Sequence, residues 1–497
     1  MRLPYFWDEA GYYIPAARDL WLTGSLIPHS TPSNAHPPLV MAYLALWWKI
    51  AGFTPLVTRA AMLLVAAFSL LGIFRLAEHI ANREVAWASA ICTALYPVFF
   101  VQSTLAQVDL AAAGLIFWGL LSHFERRWTA TALWFSLAAM AKETAVLVPL
   151  ALLAWRIAAR FCSSRRSGTA DGEIPENLSA GIFAPLLVPA AVLATWYAYH
   201  YSLTGHVFGN PEFFRYNVQA TANPLRILLA LLMRLWQTVG YMNLGVLSAA
   251  ALLAMLLPPL RDQGEERPRI SLHIQFTFLA VAAVYIVVMS VIGGAVLARY
   301  MLPIVPLAII VFVSTLWRRV HFWRQAIALV LLGFVLALFI NPPYGFTLED
   351  NLAYRDYILL HQDAENFLEA RYPMARVLTA WPANDELTHP AFGYVTRPMQ
   401  VVRIENFTIE QLMSAADQRS SFDMALVFST KYEPPHPWLE HWEAWRRIKA
   451  RFFGYHRDAP PALAAQILGG DLVYAKARQG QWIAVIELRQ VRDAKLR

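Results

Sequence analysis

Residues 56–76 read LVTRAAMLLVAAFSLLGIFRL. Arg59 near one end and Arg75 near the other are the charges in this run. An α-helix needs about 20 apolar residues to cross the hydrocarbon of a bilayer. The run therefore predicts a membrane span, and the pattern recurs at Val85–Val101, Leu110–Phe124, Ala130–Ala141, Ala145–Ile157, Ile182–Tyr201, Thr238–Leu257, Ile274–Ile292, Met301–Leu316 and Ala326–Ile340. The composition agrees. Of 497 residues, 58% are hydrophobic and 15% charged, against roughly 25% charged in a soluble chain, and the mean hydropathy is +0.41. From Pro342 onward the charge returns and the long apolar runs stop. The expected fold class is mainly α. A polytopic transmembrane helical bundle of about ten visible spans fills residues 1–341, and a soluble α/β domain fills residues 342–497.

A net charge of +7 would suggest nucleic acid in a soluble protein. Here much of the Lys and Arg lies in short loops between apolar blocks, where membrane orientation accounts for it. No basic stripe interleaved with aromatics is present, so membrane lipids and not nucleic acid are the expected surroundings. Of the two cysteines, Cys92 and Cys162, neither lies in the tail. Hence no disulfide holds that domain and no cysteine metal site can form.

The basic loops carry Arg75 and Arg83; Arg126 and Arg127; Arg156, Arg160, Arg165 and Arg166; Arg261, Arg267 and Arg269; and Arg318, Arg319 and Arg324. They alternate with sparsely basic loops when Ala130–Ala141 and Ala145–Ile157 count as two short spans. The positive-inside rule then makes the basic set cytoplasmic. Segment 1–55, the turn before Asp109, the Lys142–Glu143 junction, loop 202–235, the turn near Arg299 and the tail fall on the outer face. Ionisable groups at a membrane boundary usually face a polar cavity. Asp8, Glu9, His36, Asp109, Lys142, Glu143 and Arg299 are far apart in sequence but share this face.

Each has a bland reading. The adjacent Asp8 and Glu9 could complement a helix dipole, or one could activate an acceptor hydroxyl. His36, in His36-Pro37-Pro38-Leu39, is a surface histidine before a stiffened turn, or a contact for a phosphate or acidic partner. Asp109 either caps a helix or joins a catalytic cavity. Lys142 and Glu143 could neutralise each other. Arg299, in Arg299-Tyr300-Met301-Leu302-Pro303, could grip a lipid phosphate through its two-pronged guanidinium.

In the tail, an amphipathic helix is predicted over Tyr354–Arg371, with strands at Ala375–Ala380 and Gln400–Ile404. The pattern Thr408-x-x-Gln411 opens a helix to about Ala416. A strand at Met424–Ser429, a helix at Leu439–Ile448 and strands at Leu472–Ala475 and Trp482–Leu488 follow. No Gly-rich phosphate-binding motif is present, and Trp381-Pro382 and His389-Pro390 read as loop structure.

In their order and topological positions, Asp8-Glu9, His36-Pro37-Pro38-Leu39, Asp109, Lys142-Glu143 and Arg299-Tyr300-Met301-Leu302-Pro303 resemble the membrane glycosyltransferases with the C-type fold. Closest are the bacterial relatives of protein O-mannosyltransferases and the aminoarabinose transferases that modify lipid A. The resemblance spans about residues 5–340. It implies a polyprenyl-phosphate-linked sugar donor, an acceptor protein, lipid or glycan, and inversion at the anomeric carbon. Asp8 matches the family's catalytic carboxylate, alongside Glu9. Asp109 would assist, or help bind the acceptor or a metal. His36, Lys142, Glu143, Arg299 and Tyr300 would form the substrate-binding set, with His36, Lys142, Arg299 and Tyr300 holding the lipid phosphate. No cofactor is fixed, and a divalent metal is left open. The resemblance also implies a first span upstream of Asp8, a bacterial inner-membrane location and an extracytoplasmic tail. The aminoarabinose branch has Glu-Lys-Pro where this chain has Ala35-His36-Pro37, and an arginine where it has Gly11, so that branch's metal and phosphate contacts do not carry over. His-Pro-Pro-Leu is nearer the mannosyltransferase branch. Two other readings compete. A transporter or flippase calls for mid-membrane polar groups and internal repeats, and a non-catalytic receptor or scaffold would act through its tail.

Overall fold

The computed structural model describes residues 3–164, 183–211, 214–215, 221–434 and 442–489. Arg165, Arg166, Ile182 and residues 439–441 of the expected tail helix lie outside them, as does the side chain of Arg160. The chain forms two compact units, Ala16–Leu338 and Met1–Pro15 with Phe339–Arg497.

The helical unit begins in α1 (Ile14–Thr23), which a π-helical turn at Glu9–Tyr13 precedes. It continues through α2 (Leu39–Ala51), α3 (Pro55–Ile80), α4 (Arg83–Leu95), α5 (Pro97–Gln102), α6 (Val108–Phe124), α7 (Trp128–Ala141), α8 (Leu147–Ser164) and α9 (Ala184–Thr204). The last five are α10 (Pro224–Val239), α11 (Leu244–Ala254), α12 (Leu272–Val291), α13 (Val305–Arg319) and α14 (Trp323–Phe339). Thr54 caps α3 by accepting from the Val57 amide, and Pro55 occupies its first turn; both are favoured at a helix start. Among the described residues, three helical stretches are long and apolar enough to cross a membrane: Pro55–Ile80, Pro224–Ala254 and Leu272–Val291. Shorter apolar helices include α2, α6, α7 and α14. Leu64, Leu71, Leu253, Leu279 and Leu332 are exposed, as lipid-facing side chains are in the absence of lipid.

Glycine allows close helix packing. A Cβ on Gly114 of α6 would stand 2.1 Å from Ser69 Oγ and 3.2 Å from Ser69 Cα on α3. Small residues let membrane helices approach in this way.

Two details depart from the sequence reading, and a third agrees with it. Val85–Val101 is broken at Tyr96 (ψ 122°), because Pro97 disfavours helical geometry in the residue before it. As expected, Ala130–Ala141 and Ala145–Ile157 fall in two helices, separated by extended Lys142 and a 3₁₀ turn at Glu143–Val146. The expected loop 202–235 contains most of α10, whose Arg226 and Arg234 are buried.

The ion pairs group the basic loops. Glu84 at the start of α4 meets Arg324 (2.9 Å) and the Trp317 indole (2.6 Å). Arg318 meets Glu266 (3.0 Å), and Arg267 meets Asp262 (2.7 Å). These acids lie in or near a hairpin of β1 (Arg261–Asp262) and β2 (Glu265–Glu266), turned by Gln263 and Gly264 with φ of 54° and 91°. Glycine favours such a left-handed turn.

In the C-terminal unit, a five-stranded sheet runs in the order β4 (Gln400–Ile404), β3 (Arg376–Ala380), β5 (Met424–Phe428), β7 (Gln481–Leu488), β6 (Gly470–Arg478). The β4, β3 and β5 strands are parallel, whereas β7 is antiparallel to both neighbours. Every residue of β5 is buried, as expected for a central strand covered on both faces. The helices are α15 (Ala353–Arg371), α16 (Ala383–Thr388), α17 (Ile409–Ala416), α18 (Glu443–Phe453) and α19 (Pro461–Leu468). Thr408 caps α17 from the predicted position, accepting from the Gln411 amide. The short α16 and α19 were not anticipated.

Residues 3–15, which the sequence reading grouped with the helical domain, pack with the C-terminal unit. The Tyr5 amide donates to the Phe392 carbonyl (3.1 Å). Phe6 lies edge-on to Tyr357 (5.4 Å), and Trp7 to Trp381 (4.8 Å between centroids).

Candidate active site

In the helical unit, residues from four elements meet. Asp109 is in the first turn of α6, where the helix dipole favours a carboxylate. The capping position is Gln107, and the Asp109 carboxylate meets cations instead: Lys142 Nζ donates to its Oδ1, and Arg299 Nε stands 3.2 Å from its Oδ2. Lys142 is available because α7 ends there, and Arg299 because a 3₁₀ turn at Ala298–Met301 precedes α13. Asp109, Lys142 and Arg299 are 3%, 5% and 1% exposed. Charges this deep are costly unless paired.

Tyr300 organises the cations. Lys142 Nζ lies 3.8 Å from its ring centroid, with the Arg234 and Arg299 guanidinium carbons at 5.4 and 5.5 Å. A cation this near a ring is attracted by its negative face. The sequence reading missed Arg234 because it fell in the expected loop. Arg234 donates to the Gln237 side chain (2.9 Å) and the Leu297 carbonyl (2.6 Å), and Gln237 donates to the Val296 carbonyl (2.9 Å). Arg226 donates to the carbonyls of Gly293 and Gly294 (2.8 and 2.9 Å). The two α10 arginines thus pin segment 293–297, which leads into Arg299.

The residue after Lys142 faces another partner. Glu143 Oε2 is 2.8 Å from His36 Nδ1, so Lys142 and Glu143 do not neutralise each other through a direct bond. Segment 33–36 is tied down by the Trp196 indole, which donates to the Ala35 carbonyl (2.9 Å), and by Ser33 against His200 Nε2 (2.8 Å). Thr144, following Glu143, lies 3.4 Å from the Tyr285 hydroxyl.

The acidic pair at the chain start belongs to the other unit. Glu9 is fully buried, and its carboxylate accepts from the Phe6 amide (3.0 Å), closing the turn around Trp7. Asp8 occupies the helix-capping position but makes no side-chain cap, and it is only half-buried. Adjacent carboxylates therefore have different surroundings. Gly11 lies against Trp381, where a Cβ would meet the ring at 3.3 Å. The indole fills the room that a longer side chain would need, a physical reason for glycine there.

The candidate residues thus form a cation-rich cluster (Asp109, Lys142, Arg299, Tyr300), an adjoining His36–Glu143 pair and the Asp8–Glu9 turn. A Tyr-faced set of one ammonium and guanidinium groups is suited to an anion with several oxygens. Asp109 is engaged by two cations.

The profile of the dolichyl-phosphate-mannose-protein mannosyltransferase family matches residues 35–169, which contain His36, Asp109, Lys142 and Glu143. No curated protein matches the chain in sequence. In structure, the chain is similar to ArnT from Cupriavidus metallidurans bound to undecaprenyl phosphate, with a TM-score of 0.53 at 13% identity, covering 97% of this chain and 94% of that one. The Archaeoglobus fulgidus oligosaccharyltransferase, in complex with Zn and sulfate, aligns with a TM-score of 0.43 at 12% identity, covering 97% and 69%. The chain is a membrane protein with the C-type glycosyltransferase fold, and it resembles the membrane glycosyltransferases related to the protein O-mannosyltransferases.

Proposed function

We propose that the protein is a glycosyltransferase that moves a glycosyl group from a polyprenyl-phosphate-linked sugar to an acceptor, with inversion, on the extracytoplasmic face of a bacterial inner membrane. The observation that carries this reading is the set of Lys142, Arg299 and Arg234 around Tyr300, with Asp109 holding the first two in place. Family match and fold support the same class.

In the reaction, an acceptor hydroxyl oxygen bonds to the anomeric carbon, the bond from that carbon to the phosphate oxygen breaks, and polyprenyl phosphate leaves. The leaving phosphate gains negative charge in the transition state, so pre-placed cations lower the barrier. Arg299 and Lys142 supply them. Both Asp109 oxygens meet cations, so we assign it to positioning these two rather than to proton transfer. We assign the acceptor's proton to Asp8, the carboxylate that the family resemblance marks as catalytic and the less buried of the pair. His36, held by Glu143, is a further phosphate contact.

The test is release of polyprenyl phosphate from a panel of polyprenyl-phosphate sugars by the purified chain in detergent, with acceptor mixtures supplied. Turnover of a donor, reduced about 10²- to 10⁴-fold in Asp8→Asn as expected for loss of a general base, is the predicted result. No turnover of any donor by folded protein would favour the transporter reading.

A further inference from the structure

The core of the C-terminal unit buries a second polar cluster. His361 and Glu365 lie one turn apart on α15, so both side chains share one face of the helix. Glu386 reaches them from α16. His361 Nδ1 is 2.6 Å from Glu386 Oε2 and 3.6 Å from Glu365 Oε1. One ligand atom from each lies within 4.8 Å of the other two. The residues are 1%, 0% and 0% exposed.

Their hydrogen bonding is incomplete. Among the described residues, both oxygens of Glu365, the second oxygen of Glu386 and His361 Nε2 have no hydrogen-bond partner. The hydroxyls of Tyr357 and Tyr394, also buried, have none either. Buried polar atoms are nearly always satisfied, and two carboxylates in an apolar core repel unless a cation or a shared proton lies between them.

We propose that His361, Glu365 and Glu386 bind a divalent transition metal of the Zn²⁺ class, buried beneath the aromatic layer that carries the start of the chain. One imidazole and two carboxylates are a donor set such ions accept. Tetrahedral bonds of roughly 2.0–2.2 Å put ligand atoms about 3.4 Å apart, within reach of the observed spacing by small side-chain rotations. The Tyr357 ring stacks on His361 at 4.0 Å, and Trp7 lies edge-on to Tyr357 at 5.8 Å. The metal therefore anchors the column on which Trp7, the neighbour of Asp8, rests.

The experiment is elemental analysis of the full chain, purified in detergent without chelators from cells grown with added Zn²⁺ or Mn²⁺, compared with Glu365→Gln and His361→Gln. The proposal expects about one equivalent of metal in the wild type and its loss in both variants. X-ray absorption on the wild type alone provides a second reading that needs no variant to fold. It should show one imidazole and carboxylate oxygens at about 2.0–2.2 Å. Wild-type protein without stoichiometric metal, or metal retained in full by well-folded variants, would overturn the proposal and leave a proton shared between the carboxylates.

Discussion

The two units solve the same problem with opposite signs. In the helical unit, buried cations crowd one tyrosine ring, with Asp109 bridging two of them. In the C-terminal unit, buried carboxylates crowd one histidine stacked on Tyr357. Neither arrangement lowers the energy of an isolated apolar core, because desolvating charge costs more than most pairs return. Each gains from a ligand of opposite sign: an anion with several oxygens in the first, a small cation in the second. The contrast predicts that lipid phosphate and metal stabilise the protein through different residues.

The largest effect should come from Asp8→Asn, with the ~10²- to 10⁴-fold loss of turnover expected when a base is removed. Donor binding should survive it; if binding falls equally, Asp8 belongs to the phosphate set. Next is Asp109→Asn. Removing one partner of a buried ion pair costs about 3–5 kcal/mol, read as a lower melting temperature in detergent. Polyprenyl phosphate should restore part of this loss and Zn²⁺ none. Equal rescue by both would break the comparison between the units.

The order of legibility follows the range of the forces. The α3 and α12 helices were readable because a span is written in contiguous apolar residues, and α17 because Thr408 and Gln411 are three apart. The α10 helix was not, because its arginines looked like loop charges while their partners, the carbonyls of residues 293–297, lie about sixty residues away in sequence. The site residues were named one by one, but the bridging by Asp109 depends on the end of α7 and the turn before α13 arriving together. The metal cluster was half-legible: His361 and Glu365 have helical spacing, whereas Glu386 comes from the unpredicted α16. Grouping Met1–Pro15 with the tail rests on aromatic contacts between Phe6, Trp7, Tyr357 and Trp381, which no local pattern encodes.

The smallest predicted effect concerns pH. Burial lowers the Lys431 ammonium from 10.5 to about 8, with Asp458 opposing and Lys449 adding to the shift. The folded state releases this proton before the unfolded state does. Stability should therefore rise between about pH 8 and 10.5, where the unfolded chain holds more protons. Thermal melts across that window should show a rise of roughly 1–3 kcal/mol, absent in Lys431→Met. An unchanged slope in the variant would assign the rise to other groups.

The central claim is that the buried cations of the helical unit hold a lipid phosphate. Its most direct test is the affinity of the purified chain for polyprenyl phosphate, compared with Arg299→Gln and with Arg318→Gln as the control at the Glu266 pair. A hydrogen bond to a charged group contributes about 1.5–3 kcal/mol, so Arg299→Gln should weaken binding roughly 10- to 150-fold while Arg318→Gln leaves it unchanged. Equal affinity in all three proteins would contradict the account.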